Sequence, residues 1–169
     1  MDNLKGIKSK ILDGKSLRRW LDDCRRNNKS IVFSNGCFDI IHRGHVEYLA
    51  KASDLGDKFI IGLNTDASVK RLKGPSRPVN NQEARAIVLA AFQFVDAVAL
   101  FDEDTPYGLI KEVQPDVLVK GNDYKPEDIV GYDIVTAKGG IVTTVELVEG
   151  YSTTGTIAKM KDAKGEANE

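Results

Sequence analysis

The two histidines of the chain lie three residues apart, at a place that favours the binding of an anion. His42 and His45 follow an apolar run at residues 31–33 and a turn at Asn35-Gly36, and apolar residues recur at helical spacing after them. This pattern predicts a strand, a sharp turn and a helix that begins at the histidines. Backbone N–H groups in the first turn of a helix lack internal partners, and the helix dipole favours negative charge there. We therefore expect a phosphate site, to which Gly44 gives a ligand close access because it has no Cβ.

A histidine pair is also compatible with a metal site or with an ordinary structural role, and the structural role stays an alternative. Zinc normally takes four ligands, whereas the two cysteines, Cys24 and Cys37, form no C-x-x-C pair. We therefore expect no metal bound by protein side chains. The setting of Cys37 favours backbone packing over a catalytic thiol. The histidines are interpreted as contacts for a polyphosphate.

The composition indicates one domain without a strongly charged surface. The chain has 169 residues, with 24 Lys and Arg against 25 Asp and Glu. We expect one domain over residues 1–161, with an N-terminal helical segment at 1–28 and a disordered tail at 162–169. The balanced charge indicates neither a nucleic-acid nor a membrane partner, and no apolar run reaches the roughly 20 residues that span a bilayer. Two cysteines without an apolar export segment predict a cytoplasmic protein.

Strands and helices are predicted to alternate along the chain. Five apolar runs are the predicted strands, at 30–34, 59–63, 95–101, 117–120 and 141–147. Further helices are predicted at 43–56, 81–94, 103–112, 126–138 and 152–161, and the polar stretch at 67–78 is predicted to be a mobile basic loop after a short helical turn. Such alternation is typical of a doubly wound, parallel five-stranded α/β sheet of the Rossmann-like type. Such sheets bind ligands at the carboxyl ends of their strands, where polar residues follow several of the predicted strands here.

The polar segments offer several ways to hold phosphates and few ways to do covalent chemistry. The chain has no G-x-x-x-x-G-K-[ST] loop and no G-x-G-x-x-G after its first main strand. These absences disfavour P-loop proteins and dinucleotide oxidoreductases, and leave nucleotidyl transfer as the favoured chemistry. A phosphate nucleophile is already ionised at neutral pH and needs no general base. Catalysis then consists of aligning two anions and stabilising the charge that develops on the reacting phosphates.

Several motifs together resemble a known family. The H-x-G-H motif within residues 36–45, Asn64-Thr-Asp66 and Gly150-Tyr-Ser-Thr-Thr154 are similar to motifs of the cytidylyltransferase-like nucleotidyltransferases, and the resemblance covers about residues 30–161. Three further segments resemble the adenylyltransferase half of bacterial ADP-heptose synthases, at 71–79, 103–106 and 119–126. The resemblance implies transfer of AMP from ATP to D-glycero-β-D-manno-heptose 1-phosphate. The products would be pyrophosphate and ADP-heptose for the lipopolysaccharide inner core.

The resemblance also implies roles for individual residues. The implied catalytic residues, which would contact phosphates, are His42, His45, Lys73 and Arg85. The implied nucleotide-binding residues are Asn35, Gly36, Cys37, Phe38, Gly44, Lys120, Gly121, Asp123, Ser152, Thr153 and Thr154. The implied substrate-binding residues are Asp39, Asn64 and Asp66. Structural alternatives stay open: Asp39 orders the glycine loop, Asn64 ends its strand, and Asp123 and residues 152–154 cap helices.

The implied partners are small molecules, namely ATP and a sugar 1-phosphate. Mg²⁺ would be held mainly by the ATP phosphates. A separate heptose kinase and a phosphatase would act in the same pathway, and a homodimer is expected because relatives are often dimers. The helix that carries Trp20 would cover either a subunit interface or the domain's own sheet.

Two other functions remain as alternatives. One is a cytidylyltransferase acting on glycerol 3-phosphate or a similar small phosphate. Leu147 and Val148 disfavour it, because they occupy the first two places of the Arg-Thr-Glu-Gly-Ile-Ser-Thr-Thr signature of those enzymes and supply no guanidinium. The other is a non-catalytic nucleotide-binding module, which has little need for both histidines.

Overall fold

The computed structural model describes residues 2–165 and contains one six-stranded sheet. The strands are β1 (Ile11–Leu12), β2 (Ile31–Gly36), β3 (Lys58–Asn64), β4 (Ala97–Phe101), β5 (Val117–Gly121) and β6 (Ile141–Val145). The helices are α1 (Asn3–Ser9), α2 (Gly14–Arg26), α3 (Arg43–Ser53), α4 (Asp66–Lys73), α5 (Gln82–Ala90), α6 (Tyr107–Val113), α7 (Tyr132–Ala137) and α8 (Thr153–Gly165). A short 3-10 turn at Pro126–Asp128 precedes α7.

All neighbouring strands pair in parallel, in the order β1-β4-β3-β2-β5-β6. The predicted Rossmann-like parallel sheet is confirmed, and all five predicted strands are present. The sixth strand, β1, is a two-residue edge strand that pairs with Val98 and Ala99 of β4. It was not predicted, because two residues are too few to show a periodic pattern.

Helices cover both faces of the sheet, so the sheet is doubly wound. Alternate residues of β2 point to opposite faces: Phe33 packs in a core with α2 and α6, whereas Val32 packs in a core with α3 and α5. Trp20 packs against the first of these cores. The helix that carries Trp20 therefore covers this chain's own sheet, which was one of the two predicted alternatives.

The short helical turn predicted before the basic loop is present as helix α4, which covers residues 66–73 and leaves only residues 74–78 of the predicted stretch outside it. The side chain of Thr65 caps this helix by accepting a hydrogen bond from the Ser68 N–H, and Gly74 ends it with a φ of +95°. The sequence shows little of the periodic apolar pattern of a helix here, because α4 buries only Ser68 and Val69 and its basic residues are exposed.

Other helix boundaries also differ from the prediction. Helix α3 ends at Ser53, before Gly56, and α5 ends at Ala90. The predicted helix at 126–138 is divided into the 3-10 turn and α7 by Gly131, whose φ is +93°. Helix α8 continues to Gly165, past the predicted end at Lys161, and residues 166–169 of the predicted tail lie outside the described residues. One domain over residues 1–161 stays a prediction.

None of the helices within residues 2–165 is both long enough and apolar enough to cross a lipid bilayer.

The two central strands separate at their carboxyl ends. Strands β2 and β5 pair only at Val32 with Val117 and at Phe33 with Leu118, although both strands continue for three more residues. After β2, the chain first adds β3 and β4 on one side of β2 and then adds β5 and β6 on the other side. A crevice forms between β2 and β5, where the strand order reverses. This crevice is the natural place for a ligand.

Two side chains bridge the separated strand ends. The Tyr48 hydroxyl lies 2.6 Å from Ser34 Oγ and donates to the Val119 carbonyl at 3.1 Å. Lys120 Nζ donates to the Asn35 carbonyl at 2.9 Å. Buried carbonyls need such partners, because an unpaired buried polar group costs free energy. The side chains therefore stabilise the open crevice where the strand ladder has ended.

We expect Tyr48→Phe to lower the free energy of unfolding by about 1–3 kcal/mol, because it removes the partner of a buried carbonyl and a buried hydroxyl. Urea denaturation measures this change. Tyr107→Phe is the matched control, since it removes a hydroxyl that bonds Asp133 at an exposed position, and we expect it to change the free energy by no more than about 0.5 kcal/mol. Equal losses in the two variants would contradict the bridging role of Tyr48.

Candidate functional site

A cavity of about 590 Å³ opens at the carboxyl ends of β2 and β5. Most of the predicted site residues line it, namely Asn35, Gly36, Cys37, Phe38, Asp39, His45, Asn64, Lys73, Lys120, Gly121, Asp123, Thr153 and Thr154. The other predicted site residues do not line it, namely His42, Gly44, Asp66, Arg85 and Ser152. A second depression of about 430 Å³ at Lys51, Asn122 and residues 146–149 contains none of the predicted site residues.

His42 and His45 form one stacked unit at the start of α3. His42 is the N-cap, and its Nδ1 accepts a hydrogen bond from the His45 backbone N–H at 3.3 Å. The two imidazole rings stack with their centroids 3.8 Å apart, and the Phe38 ring packs edge-on against His45 at 5.3 Å. Buried Nδ1 of His45 has no hydrogen-bond partner among the described residues. His42 thus orders the helix start, and His45 is the member of the pair that lines the cavity.

Both imidazoles are held in the neutral form. Burial, with a further contribution from the neighbouring His42, lowers the pKa of His45 to about 4. Burial also lowers the pKa of His42. At neutral pH the pair therefore offers hydrogen bonds rather than fixed positive charge, and an anion in the cavity would favour protonation.

Gly44 is closely packed against side chains of the protein. A Cβ at this position would lie 3.1 Å from His42 Nδ1 and 3.1 Å from the Tyr151 Cβ. Gly121 is similar, since a Cβ there would come within 2.7 Å of an Asp123 carboxylate oxygen. The close approach predicted at Gly44 is thus an approach of side chains, and a ligand contact there stays a prediction.

Asp39 holds a loop and not the glycine turn. Its side chain is 1% exposed and accepts hydrogen bonds from Arg77 Nε at 2.6 Å and from the backbone N–H groups of Val79 and Asn80. Although burial acts to raise the pKa of Asp39, these donors outweigh it and lower the pKa. The sequence predicted that Asp39 orders the glycine loop, whereas in the structure it orders the loop at 77–80. Its carboxylate is committed to these donors, and a direct substrate contact stays a prediction.

Arg85 is a buried tie between elements. Its guanidinium donates to the Asn80 carbonyl at 3.0 Å, to the Cys37 carbonyl at 2.6 Å and to an Asp66 carboxylate oxygen at 2.7 Å. It is 1% exposed. Three of its five N–H donors are used in these contacts, and Arg85 does not line the cavity, so a phosphate contact stays a prediction. Through these bonds Arg85 connects Cys37, just after β2, to Asn80 and Asp66.

Asn64 lies at the edge of the cavity but is also engaged internally. Its Nδ2 donates to Ser68 Oγ at 2.9 Å, and Cys37 Sγ lies 3.9 Å from its Oδ1. These contacts fit the alternative that Asn64 has a structural role at the end of its strand. Burial raises the pKa of the Cys37 thiol, which keeps it protonated and disfavours a nucleophilic role.

The positive charge on the cavity comes from lysine and arginine. Lys73 and Arg77 lie on α4 and on the loop after it, and both line the cavity. Burial lowers the pKa of Lys120 to about 8, although Asp123 and Cys37 act to raise it. Sequence reasoning did not select Arg77 as a site residue, although it lies in the predicted basic loop.

The start of α8 contributes a polar rim. Ser152 Oγ accepts from the Gly155 N–H at 3.0 Å, so Ser152 has the predicted capping role. Thr153 Oγ1 donates to the Ile40 carbonyl at 3.4 Å, and Thr153 and Thr154 line the cavity. Hydroxyls and N–H groups at a helix start suit phosphate oxygens.

The histidine-capped helix, the two basic residues and the second helix start lie on one crevice of a parallel sheet, and together they suit the phosphates of a nucleotide. Residues 33–162 match the family described as cytidylyltransferase-like. The chain belongs to this family.

Curated relatives match most of the chain. A bifunctional protein HldE of Campylobacter concisus is 56% identical over 142 residues, which are 84% of this chain and 29% of the relative. A bifunctional protein HldE of Syntrophotalea carbinolica is 53% identical over 154 residues, which are 91% of this chain and 31% of the relative. The chain thus spans about a third of the length of these relatives.

Solved structures share the fold. The lipopolysaccharide core biosynthesis protein of Thermoplasma volcanium is 27% identical, with a TM-score of 0.59, over 73% of this chain and 99% of that chain. A pantoate-β-alanine ligase of Francisella tularensis has a TM-score of 0.57 over 80% of this chain and 66% of that chain. Its 15% identity shows a common fold alone.

We expect a nuclear magnetic resonance titration of the free protein to give His45 a midpoint near pH 4 and His42 a midpoint below 6.5, because burial disfavours both charged forms. His42→Gln assigns the signals, since the chain has only two histidines. A His45 midpoint at 6.5 or above would show that the ring is not buried as described.

We expect Asp39→Asn to lower the free energy of unfolding at pH 7 by about 2–3 kcal/mol, because hydrogen bonds to a charged carboxylate are lost. The folded-state pKa of Asp39 is lowered, so the ionised carboxylate stabilises the fold above about pH 4 and loses this effect as the pH falls. Urea denaturation between pH 7 and pH 2 measures the difference between the two proteins. A difference that stays constant across this range would rule out the ionised clamp.

Proposed function

We propose that the protein transfers AMP from ATP to D-glycero-β-D-manno-heptose 1-phosphate, giving ADP-heptose and pyrophosphate. The observation that carries this proposal is the placement of the histidine-capped helix and the basic residues Lys73 and Arg77 on one cavity. The relatives support the choice of pathway, since one is named a lipopolysaccharide core biosynthesis protein and others are named bifunctional. This chain corresponds to about a third of those bifunctional proteins. We further propose that a heptose kinase activity and a phosphatase act in the same pathway.

The reaction is a displacement at the α-phosphorus of ATP. An oxygen of the acceptor phosphate forms a bond to this phosphorus, and the bond to the pyrophosphate oxygen breaks. The acceptor is already ionised, so no side chain has to remove a proton. The residues instead orient the two anions and stabilise the charge on the reacting phosphates.

The proposed phosphate contacts come from three directions. His45, positioned by His42, is proposed to face the α-phosphate. Lys73 and Arg77 are proposed to hold the acceptor phosphate or the departing pyrophosphate, and Arg77 would use the guanidinium donors that its Nε bond to Asp39 leaves over. The threonines at the start of α8 contact the remaining nucleotide phosphates.

The proposed adenine contacts lie beside β5. Gly121 and Asp123 line the cavity at the end of this strand, next to the Lys120 side chain. Backbone groups there suit a nucleobase edge, which is why the base is selected without an obvious sequence signature. The adenine role of these residues follows the family resemblance.

Mg²⁺ is proposed to enter with ATP. Among residues 2–165, no group of three His, Cys, Asp or Glu residues is placed to hold a metal ion. Mg²⁺ commonly binds nucleotide phosphates and water with few protein ligands, and there it neutralises phosphate charge. We also propose a cytoplasmic location, where ATP is available, and a homodimer as the assembly.

The test is a pyrophosphate-release assay with ATP, Mg²⁺ and heptose 1-phosphate. We expect release that depends on the sugar phosphate, and a loss of about 100-fold or more in His45→Asn, because a contact to developing charge is removed. Replacing ATP by CTP and the sugar phosphate by glycerol 3-phosphate tests the cytidylyltransferase alternative. ATP binding with no release on any of these acceptors would support a non-catalytic binding module instead.

A further inference from the structure

The cavity has a second part that lies across the sheet from the histidine helix. Asn35 follows Phe33 at a spacing of two, so its side chain lies on the face that α6 covers, whereas α3 covers the other face. A Cβ at Gly62 would contact Phe33, Leu109 and Asn35 together, which places Asn35 on the same face. The cavity therefore extends from the histidines, around the separated strand ends, to the α6 face.

The wall on the α6 face is rich in hydrogen-bond acceptors. It contains Asp104 and Thr105 from the segment before α6 and Asp128 from the 3-10 turn. Asn35 Oδ1 is fully buried there and has no partner among the described residues. A buried amide oxygen without a partner is costly, so a ligand that donates a hydrogen bond to it would be stabilised.

The lining of the cavity carries both signs of charge. Lys73 and Arg77 are cationic, and Arg77 pairs with Asp39, whereas Asp104 and Asp128 are acidic. Arg71 Nε already donates to Asp104 at 2.8 Å, which leaves Asp128 as the acidic side chain of interest. An acidic wall repels phosphate but accepts hydrogen bonds from hydroxyl groups.

We propose that Asp128, together with Thr105 and Asn35, forms a hydroxyl-binding wall that selects the acceptor. The ligand class that matches it is a phosphomonoester with several hydroxyl groups: the phosphate lies toward Lys73 and Arg77, and the hydroxyls face the wall. Ile129 and Pro106 lie beside these groups and supply apolar surface for the carbon skeleton. This inference rests on the proposed function and adds the residues that recognise the acceptor.

The direct test compares Asp128→Asn with Glu127→Gln. Both variants remove one negative charge from an exposed residue of the same 3-10 turn, but Glu127 does not line the cavity. In Asp128→Asn we expect the KM for heptose 1-phosphate to rise about 10-fold or more, because a charge-assisted hydrogen bond is lost, with less than about a 2-fold change in the KM for ATP. Glu127→Gln should leave both values unchanged. Equal effects of the two variants, or an unchanged acceptor KM in Asp128→Asn, would overturn the proposal.

A binding measurement separates this proposal from the proposed reaction. Calorimetric titration, with the site filled by a non-hydrolysable ATP analogue, compares heptose 1-phosphate, glycerol 3-phosphate and inorganic phosphate. We expect the wild-type protein to bind heptose 1-phosphate most tightly, and Asp128→Asn to lose that preference over inorganic phosphate. Similar affinities for all three ligands in the wild-type protein would refute the wall. If this preference is seen in a protein that releases no pyrophosphate, the proposed reaction fails while the subsite stands.

Discussion

The separation of β2 from β5 is the constraint on which the site depends. A parallel ladder that continued to the strand ends would close the crevice and leave no space between the histidine helix and the α6 face. The separation leaves backbone carbonyls without strand partners. Tyr48 and Lys120 donate hydrogen bonds to two of these carbonyls from opposite faces of the sheet. Tyr48 lies one helical turn after His45, so the same residue that bridges the strands also fixes the helix that presents the imidazole.

The charges around the cavity are divided between structure and ligand binding. Asp39 pairs with Arg77, and Asp66 pairs with Arg85. The first pair holds the loop at 77–80, and Arg85 also binds the Cys37 carbonyl after β2. Removing one partner of a buried ion pair is costly, so these pairs stabilise the fold around the cavity. Partial burial lowers the pKa of both histidines, so they are neutral at pH 7. The positive charge available to a polyanion therefore comes mainly from side chains on the rim.

Much of the fold was predictable because it depends on local patterns. The apolar runs and the histidines at a helix start are visible within short windows. The predicted turn at Asn35-Gly36 is wrong, because both residues continue β2 and pair with β3. The roles of Asp39 and Arg85 were not predictable, because each contacts a residue that is distant along the chain. Asp39 and Arg77 are 38 residues apart, and Arg85 and Cys37 are 48 residues apart. Asp128 was missed for a related reason: an acidic residue in a short turn shows no pattern until the fold brings it to the cavity wall.

The central claim is that the acceptor phosphate attacks the α-phosphorus of ATP in this cavity. Parallel reactions with heptose 1-phosphate and ATP labelled with ³²P at either the α or the γ position test it most directly. The account predicts that the α label appears in the nucleotide sugar and that the γ label appears only in pyrophosphate. Transfer of the γ label to the sugar phosphate, or its release as orthophosphate with no α-labelled sugar product, would contradict the account.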